Sequence, residues 1–191
     1  MIQYKKYYMP GTKEELLKTI DTIDCTYDIL AGGTDLYAKE KTPFNGADAA
    51  IDISGIKEFS VIKLKKEEGL ITFGSNICIQ QFLEEKVLME NVQILRHAAI
   101  YFADQQIREM ATVGGNVANS SPSGDTIAPL TALEAVIHTI TSKDNKICEK
   151  ETPITEFITG VGKNLLEKGE VISSITCPVL KEYGCAFKKL D

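Results

Sequence analysis

Two segments of this sequence combine adjacent glycines with hydroxyl and amide side chains. The first is Ala31-Gly32-Gly33-Thr34-Asp35-Leu36, and the second runs from Thr112 to Asp125 with Gly114-Gly115 near its start. Adjacent glycines let successive backbone N–H groups turn to one side and form a concave anion site, which a following helix N-terminus strengthens. They also let a phosphate approach the backbone with no Cβ in the way. Both patterns favour a phosphate-bearing ligand.

The side chains around the glycines suit the oxygens of a nucleotide. Amides and hydroxyls can bind phosphate and sugar oxygens, while a carboxylate can accept from a ribose or ribityl hydroxyl. Taken singly, each glycine pair is more often a turn or a helix cap than a ligand site. The two pairs together leave a nucleotide site and a structural role about equally supported. The candidate side chains are Thr34, Asn116, Asn119, Ser121 and Ser123, with the carboxylates Asp35 and Asp125.

Other chemical signatures fail in this sequence. Gly32-Gly33 does not extend to GxGxxG, and Gly160-Val161-Gly162-Lys163 lacks the Walker spacing. There is no GxSxG motif, and with only His97 and His138 a catalytic triad has little to work with. The five cysteines are widely spaced and never form a CxxC pair, so no zinc or iron–sulfur site can be assembled. The sequence therefore predicts no catalytic side chain and no metal site of its own.

The bulk composition limits the class of protein. The chain has 191 residues, 43% of them hydrophobic, and a net charge of −6, which predicts one domain or two small ones with a substantial core. A net negative charge does not favour binding to nucleic acid or to an anionic membrane. The sequence shows neither a long apolar run nor a secretory leader. Isolated cysteines in apolar surroundings predict buried thiols of a reducing compartment, so we expect a cytoplasmic protein. The cysteines are Cys25, Cys78, Cys148, Cys177 and Cys185.

The first glycine pair is predicted to lie between a strand and a helix. Thr12 and Glu15 form a capping box for a helix that continues to Ile23. The pair then follows a strand over 26–30 and precedes a helix over 36–41, which Thr34 or Asp35 would cap. A second strand over 49–53 should run parallel to the first, because the intervening helix provides a crossover.

From residue 60 the pattern changes to short strands and helices. Strands over 60–64 and 70–74 predict a hairpin, Ser75 is placed to cap a helix through Leu83, and a longer helix from about Asn91 carries Leu95, Ala98, Ala99 and Phe102 on one face. The fifteen residues 111–125 are rich in Gly, Ser, Asn and Pro and lie between predicted helical segments. A helix over 128–135, strands over 136–141 and 171–178, and a candidate strand over 184–190 complete the prediction.

At the two glycine segments, and at landmarks between them, the sequence resembles the FAD-binding (medium) subunits of the xanthine dehydrogenase and carbon monoxide dehydrogenase family. These are the flavin components of molybdenum hydroxylases. The landmarks fall in the family's order and spacing: Tyr8 to Pro10, Leu30 to Leu36, Gln106-Ile107-Arg108, Ala111 to Asn116, Ser121-Pro122, Asp125, Pro129-Leu130 and Leu133 to Ala135.

The resemblance implies an α+β chain with the FAD-binding fold of the vanillyl-alcohol oxidase type. A small N-terminal βα subdomain over 1–55 and a larger sheet-and-helix subdomain over 56–191 would hold FAD between them. The subunits that this sequence resembles continue for about another domain beyond Phe187-Lys188-Lys189-Leu190. By the same comparison, that C-terminal domain is absent from this sequence.

The resemblance also implies the residues of the FAD site. The backbone of residues 30–36 and of Gly114, Gly115 and Asn116 would cradle the pyrophosphate. Thr112, Asn119 and Ser121 would support it, and Asp125 would accept from a ribityl or ribose hydroxyl. Phe102 would lie near the isoalloxazine, although a core role on its helix is equally supported by the sequence. Ile172 would pack near the adenine or the ring, and Lys188 would lie close to the flavin. The full set is Leu30, Ala31, Gly32, Gly33, Thr34, Asp35, Leu36, Phe102, Thr112, Gly114, Gly115, Asn116, Asn119, Ser121, Asp125, Ile172 and Lys188.

The function that the resemblance implies is electron transfer within an oxidoreductase complex. Electrons from a molybdopterin-binding subunit would pass through a [2Fe-2S] subunit to this FAD and on to an acceptor such as NAD. The cofactor itself would carry the redox chemistry of this transfer. Two alternatives are a stand-alone flavin oxidase of related fold and a non-catalytic remnant of the fold that binds partner proteins.

Overall fold

The computed structural model describes residues 4–38, 47–143, 146–180 and 184–189. A small parallel sheet opens the chain, with β1 (Lys6–Tyr8), β2 (Tyr27–Leu30) and β3 (Ala49–Asp52) in the order β1-β3-β2. Helix α1 (Lys13–Thr22) connects β1 to β2, and α2 (Thr34–Ala38) follows β2. The prediction that the strands on either side of the first glycine pair are parallel neighbours is confirmed.

Helix α1 begins with most of the predicted capping box. Thr12 accepts from the backbone N–H of Glu15 at 3.2 Å, while the Glu15 carboxylate accepts from the N–H of Gly11 at 2.7 Å. Leu16 and Leu17 on the inner face are buried against the small sheet. Helix α2 begins at Thr34, two residues before the predicted start, and the predicted end at Lys41 lies outside the described residues.

A larger antiparallel sheet forms the second unit. Its strands are β4 (Ile62–Lys65), β5 (Leu70–Gly74), β6 (Val136–Lys143), β7 (Lys146–Pro153) and β10 (Val171–Pro178). Their order is β4-β5-β10-β6-β7, with β10 in the centre. The predicted hairpin of β4 and β5 is confirmed.

In the described part of the chain, seven short helices and a small ribbon connect and cover these strands. A 3-10 helix (Lys57–Ser60) precedes the large sheet. Strands β8 (Ile158–Gly160) and β9 (Lys163–Asn164) pair with each other. The helices are α3 (Gln81–Glu84), α4 (Lys86–Asn91), α5 (Gln93–Tyr101), α6 (Gln105–Met110), α7 (Val113–Asn119), α8 (Ile127–Ala132) and α9 (Ile154–Phe157).

Several sequence predictions are wrong in this region. The segment 111–125, taken to lie between helical segments, itself contains α7. Ser75 does not cap a helix, because turns separate it from the start of α3 at Gln81. Helix α5 ends at Tyr101, so Phe102 follows it. Residues 184–189 form no strand, and β7 and the β8–β9 ribbon were not predicted at all.

Two apolar clusters hold the elements together. The larger one lies between the large sheet and the helices, and the edge-to-face pair of Phe73 and Phe82, with ring centroids 5.4 Å apart, belongs to it. The smaller one joins Ile51 of the small sheet to Ile140 and Val171 of the large sheet. Parallel and antiparallel strands are thus segregated into two sheets that share a core, which is the predicted α+β class.

Candidate functional site

A cavity of about 880 Å³ lies where segments of both sheets meet. Its volume is within the range of about 300–1,000 Å³ that is usual for ligand pockets. The wall includes the turn between β2 and α2, the end of β3, the residues after β5, the start of α7 and part of β10. Predicted site residues in the wall are Ala31, Gly32, Gly33, Thr34, Asp35, Leu36, Phe102, Thr112, Gly114, Gly115, Asn116, Asn119 and Ile172.

The first glycine pair forms a turn that presents backbone donors. Gly33 has a φ of +67°, a conformation that favours glycine. A Cβ on Gly32 would stand 1.8 Å from the carbonyl oxygen of Met110, so this residue packs directly against the end of α6. Within the described residues, the N–H groups of Gly32 and Gly33 donate to no protein acceptor. These two donors are therefore open to a ligand in the cavity.

The second glycine pair has a different local role. Thr112 caps α7 by accepting from the N–H of Gly115 at 3.0 Å, and Gly114 donates to the carbonyl oxygen of Ser75 at 2.9 Å. The N–H of Asn116 donates to Thr112 at 3.0 Å. A Cβ on Gly114 would lie 2.5 Å from the Cβ of Ser75. The pair thus allows α7 to pack closely beside the cavity, and all three N–H groups already have protein acceptors.

Four predicted site residues are not in the cavity wall. Leu30 lies in β2 between the wall residues Ile29 and Ala31. Ser121 lies 3.0 Å from Ser123, hydroxyl to hydroxyl. The carboxylate of Asp125 accepts from Nζ of Lys189 at 2.9 Å. Lys188 precedes this lysine in the chain and lies outside the wall, and its place near the flavin stays a prediction.

The turn between α5 and α6 places Phe102 in the wall. Arg108 donates through Nη1 to the carbonyl oxygens of Phe102 and Ala103, at 3.1 and 3.2 Å, and through Nε to Oε1 of Gln80 at 2.9 Å. Ala103 has a φ of +35°, which is uncommon for a residue with a Cβ. One guanidinium therefore holds a turn that would otherwise be unfavourable.

Sequence reasoning missed three polar residues of the wall. Ser75 and Asn76 directly follow the buried strand β5, and Glu170 precedes β10. The signal was present at Ser75, a polar residue at a strand end, but it was interpreted as a helix cap. Glu170 is fixed in place, since its carboxylate accepts from the hydroxyl of Thr139 and from the N–H of Glu167.

The composition of the wall fits FAD. Open backbone donors at one turn suit a pyrophosphate, and an apolar surface suits a flat aromatic ring system. That surface includes Ile53, Phe102, Ile107 and Ile172. Over the described residues, no three His, Cys, Asp or Glu side chains converge on a possible metal position, and no described helix has the length and apolarity to cross a bilayer.

Curated relatives match most of this chain. A nicotinate dehydrogenase FAD-subunit from Eubacterium barkeri is 29% identical over 174 residues, which cover 89% of this chain and 57% of the relative. A glyceraldehyde dehydrogenase medium chain from Sulfolobus acidocaldarius is 27% identical over 184 residues, or 96% of this chain and 63% of the relative. The chain thus spans 57–63% of the length of these two relatives.

Solved structures share the fold. A carbon monoxide dehydrogenase from Hydrogenophaga pseudoflava superposes with a TM-score of 0.90 at 26% identity, covering 100% of this chain and 65% of that chain. A quinoline 2-oxidoreductase from Pseudomonas putida 86 gives 0.82 at 20% identity, covering 94% of this chain and 61% of that chain, which shows a common fold. The predicted FAD-binding fold is therefore confirmed. A family profile described as the FAD binding domain in molybdopterin dehydrogenase matches residues 2–180, and the chain belongs to this family.

Proposed function

We propose that this chain binds FAD in the cavity and serves as the flavin electron-transfer part of a molybdenum hydroxylase. The open N–H groups of Gly32 and Gly33, at a turn that forms one side of a cavity with apolar walls, carry the proposal. The family to which the chain belongs is described by the same cofactor. When bound, FAD supplies reversible redox chemistry, and the protein supplies its position and surroundings.

The residues of the chain would divide the work of binding. Backbone donors at Gly32 and Gly33 would hold the pyrophosphate, since no basic side chain is needed where N–H groups converge. Phe102, held by Arg108, would pack against the ring system and exclude water from it. The other predicted residues of the wall would bind the sugar and linker parts. In this arrangement the units over 1–55 and 56–191 act as two subdomains that close on the cofactor.

The complex around this chain belongs to the proposal as well. Relatives are named as FAD-subunits or medium chains of dehydrogenases, so we propose assembly with a molybdopterin-binding subunit and a [2Fe-2S] subunit, and transfer of electrons to an acceptor such as NAD. A cytoplasmic location fits the five cysteines, which are all free. Only Cys177 among them is fully buried, so the prediction of buried thiols holds for that residue alone.

Titration of the purified chain with FAD tests the proposal. We expect stoichiometric uptake, followed by calorimetry and by the change in the visible flavin spectrum. Co-expression with candidate molybdopterin and iron–sulfur subunits from the same genome should then give a complex that retains the flavin. Absence of flavin uptake by the intact chain would contradict the proposal. Rapid turnover of a small alcohol with oxygen would instead favour a stand-alone oxidase.

A further inference from the structure

The backbone polar groups of Asn116 are already in use within the protein. Its N–H donates to the carbonyl oxygen of Thr112 at 3.0 Å, and its own carbonyl oxygen accepts from the N–H of Ser120 at 3.3 Å. The residue is half-buried and lies in the cavity wall. The amide group of the side chain is therefore the polar part that Asn116 can offer to a ligand.

One amide atom of Asn116 is bound by Thr126, and the other is free. Oδ1 accepts from the hydroxyl of Thr126 at 2.5 Å. Nδ2 makes no hydrogen bond within the described part of the chain, and it is not one of the solvent-shielded atoms there that lack a partner. Nδ2 is therefore accessible from outside the protein, and the open space that its residue lines is the cavity.

The buried hydroxyl of Thr126 determines which amide atom is free. Thr126 is 2% exposed and does not line the cavity, and within the described residues Asn116 is the partner of its hydroxyl. If the two amide atoms were exchanged, Nδ2 would donate to this hydroxyl, whose own proton would then be left without an acceptor. A buried donor without an acceptor destabilises a folded chain. The observed orientation avoids this cost, because the hydroxyl donates and Oδ1 accepts.

We propose that Thr126 is a positioning residue of the cofactor site and that it acts through Asn116. By holding Oδ1, it directs Nδ2 to the cavity, where this N–H group donates to an acceptor oxygen of the cofactor. The inference rests on the proposed FAD function and deepens it. Thr126 itself lies behind the wall and touches no ligand. Nδ2 and the open N–H groups of Gly32 and Gly33 are then donors in the wall of one cavity.

The test compares Thr126→Val with Thr126→Ser by calorimetric titration with FAD. Valine keeps the shape of threonine and removes the hydroxyl, whereas serine keeps the hydroxyl and removes the buried methyl group. We expect Thr126→Val to bind FAD about five- to tenfold more weakly, the effect of one net hydrogen bond. Thr126→Ser should keep the FAD affinity of the wild type, although the lost methyl group should make it unfold at lower urea without FAD. Affinity would then follow the hydroxyl and not the stability of the chain, which a purely structural role does not predict.

A double-mutant cycle tests whether Thr126 acts through Asn116. Asn116→Ala should bind FAD about five- to tenfold more weakly, because it removes the donor itself. Adding Thr126→Val to this variant should weaken FAD binding no further, since the group that Thr126 positions is already absent.

Thr131→Val is the matched control, because it makes the same substitution in α8, which Thr126 directly precedes. The hydroxyl of Thr131 donates to the carbonyl oxygen of Ile127 at 2.9 Å, and Thr131 does not line the cavity. The control should keep the FAD affinity of the wild type, both alone and when its effect is compared in the Asn116→Ala background.

Three results would overturn the inference while the proposed function stands. They are wild-type FAD affinity in Thr126→Val, an equal loss of affinity in Thr126→Val and Thr126→Ser, and an effect of Thr126→Val that is as large in Asn116→Ala as in the wild type. Failure of the wild-type chain to bind FAD would contradict the proposed function and this inference with it.

Discussion

Gly32 lies where the turn after β2 touches the end of α6, and the contact leaves no room for a side chain. A Cβ at this position would overlap the carbonyl oxygen of Met110 at 1.8 Å. Because the obstacle is backbone, the turn itself must shift in Gly32→Ala, with a loss of stability of about 1–3 kcal/mol or more. We expect urea unfolding at a lower midpoint and little FAD binding.

Gly55→Ala is the matched control for that substitution. A Cβ on Gly55 would meet nothing within 4 Å, so its stability should stay within about 0.5 kcal/mol of the wild type. Its FAD affinity should not change. Wild-type FAD affinity in Gly32→Ala would show that the turn is not part of the cofactor site.

Asp28 is a buried carboxyl in β2 and should make stability depend on pH. Burial raises the pKa of Asp28, and the hydroxyl of Tyr4, which donates to it at 3.0 Å, opposes the shift. A raised pKa in the folded state means that the stability present below the unfolded pKa of about 3.9 is lost as pH rises through the folded value. Asp28→Asn should therefore be more stable than the wild type at pH 7, by a margin that shrinks towards pH 4 in urea titrations.

Asp24 provides the opposite case on the protein surface. A hydrogen bond and the charge of Lys6, whose Nζ lies 3.1 Å away, lower the pKa of Asp24. This pairing contributes stability above the unfolded pKa of Asp24, and the contribution is lost as pH falls. Asp24→Asn should therefore be slightly less stable than the wild type at neutral pH and equally stable in acid.

Equal pH profiles of stability for Asp28→Asn and the wild type would show that the burial of Asp28 does not disfavour its ionised form.

At the scale of elements, the turn between α5 and α6 combines an unfavourable backbone with one compensating side chain. Arg108→Ala removes the hydrogen bonds to the carbonyl oxygens of Phe102 and Ala103. Because a charged hydrogen bond contributes about 1.5–3 kcal/mol, this variant should be less stable than the wild type. Ala103→Gly should by itself stabilise the chain by about 1 kcal/mol, because glycine adopts the positive φ without strain.

A double-mutant cycle tests whether the two features are coupled. If Arg108 holds the strained turn, its loss should be less damaging in the Ala103→Gly background, with a coupling free energy above about 0.5 kcal/mol in urea unfolding. Arg96→Ala, in the middle of α5, is the control and should show no coupling to Ala103→Gly. Strictly additive effects would mean that Arg108 acts elsewhere.

The elements that the sequence predicted well have local signals. The cap at Thr12 and the alternation in β5 each lie within a few residues of the structure they specify. Helix α7 has no such local signal, because Gly114, Gly115 and Asn116 are poor helix formers. The helix depends on packing beside Ser75, which is a contact between residues far apart in sequence. Half of the residues of strand β7 are charged and most are exposed, and its pairing with β6 makes it a strand.

At the scale of the whole molecule, the cavity exists because distant segments meet. The sequence could indicate Gly32 and Gly33 from their turn chemistry and Asn116 from its amide, and the resemblance added a role for Thr112. It could not show that the N–H groups of the second pair already have acceptors, nor that Ser75 and Asn76 lie in the wall. Those facts depend on how α7 packs on the residues that follow β5, and no local pattern encodes that contact.

The same architecture predicts that FAD should stabilise both sheets together. The wall combines Gly32 and Ile53, from the ends of small-sheet strands, with Ile172 of the large sheet, and the two sheets otherwise share the core around Ile51, Ile140 and Val171. A ligand that binds only the folded state adds about 2.7 kcal/mol at a hundred times its Kd. Because either sheet alone offers half a site, amide exchange should slow in β3 and in β10 by similar factors when FAD is added. Gly32→Ala should abolish this protection in both sheets, while Gly55→Ala should retain it. Protection confined to one sheet would show that the cofactor contacts that sheet alone, and that the cavity between the sheets is not its binding site.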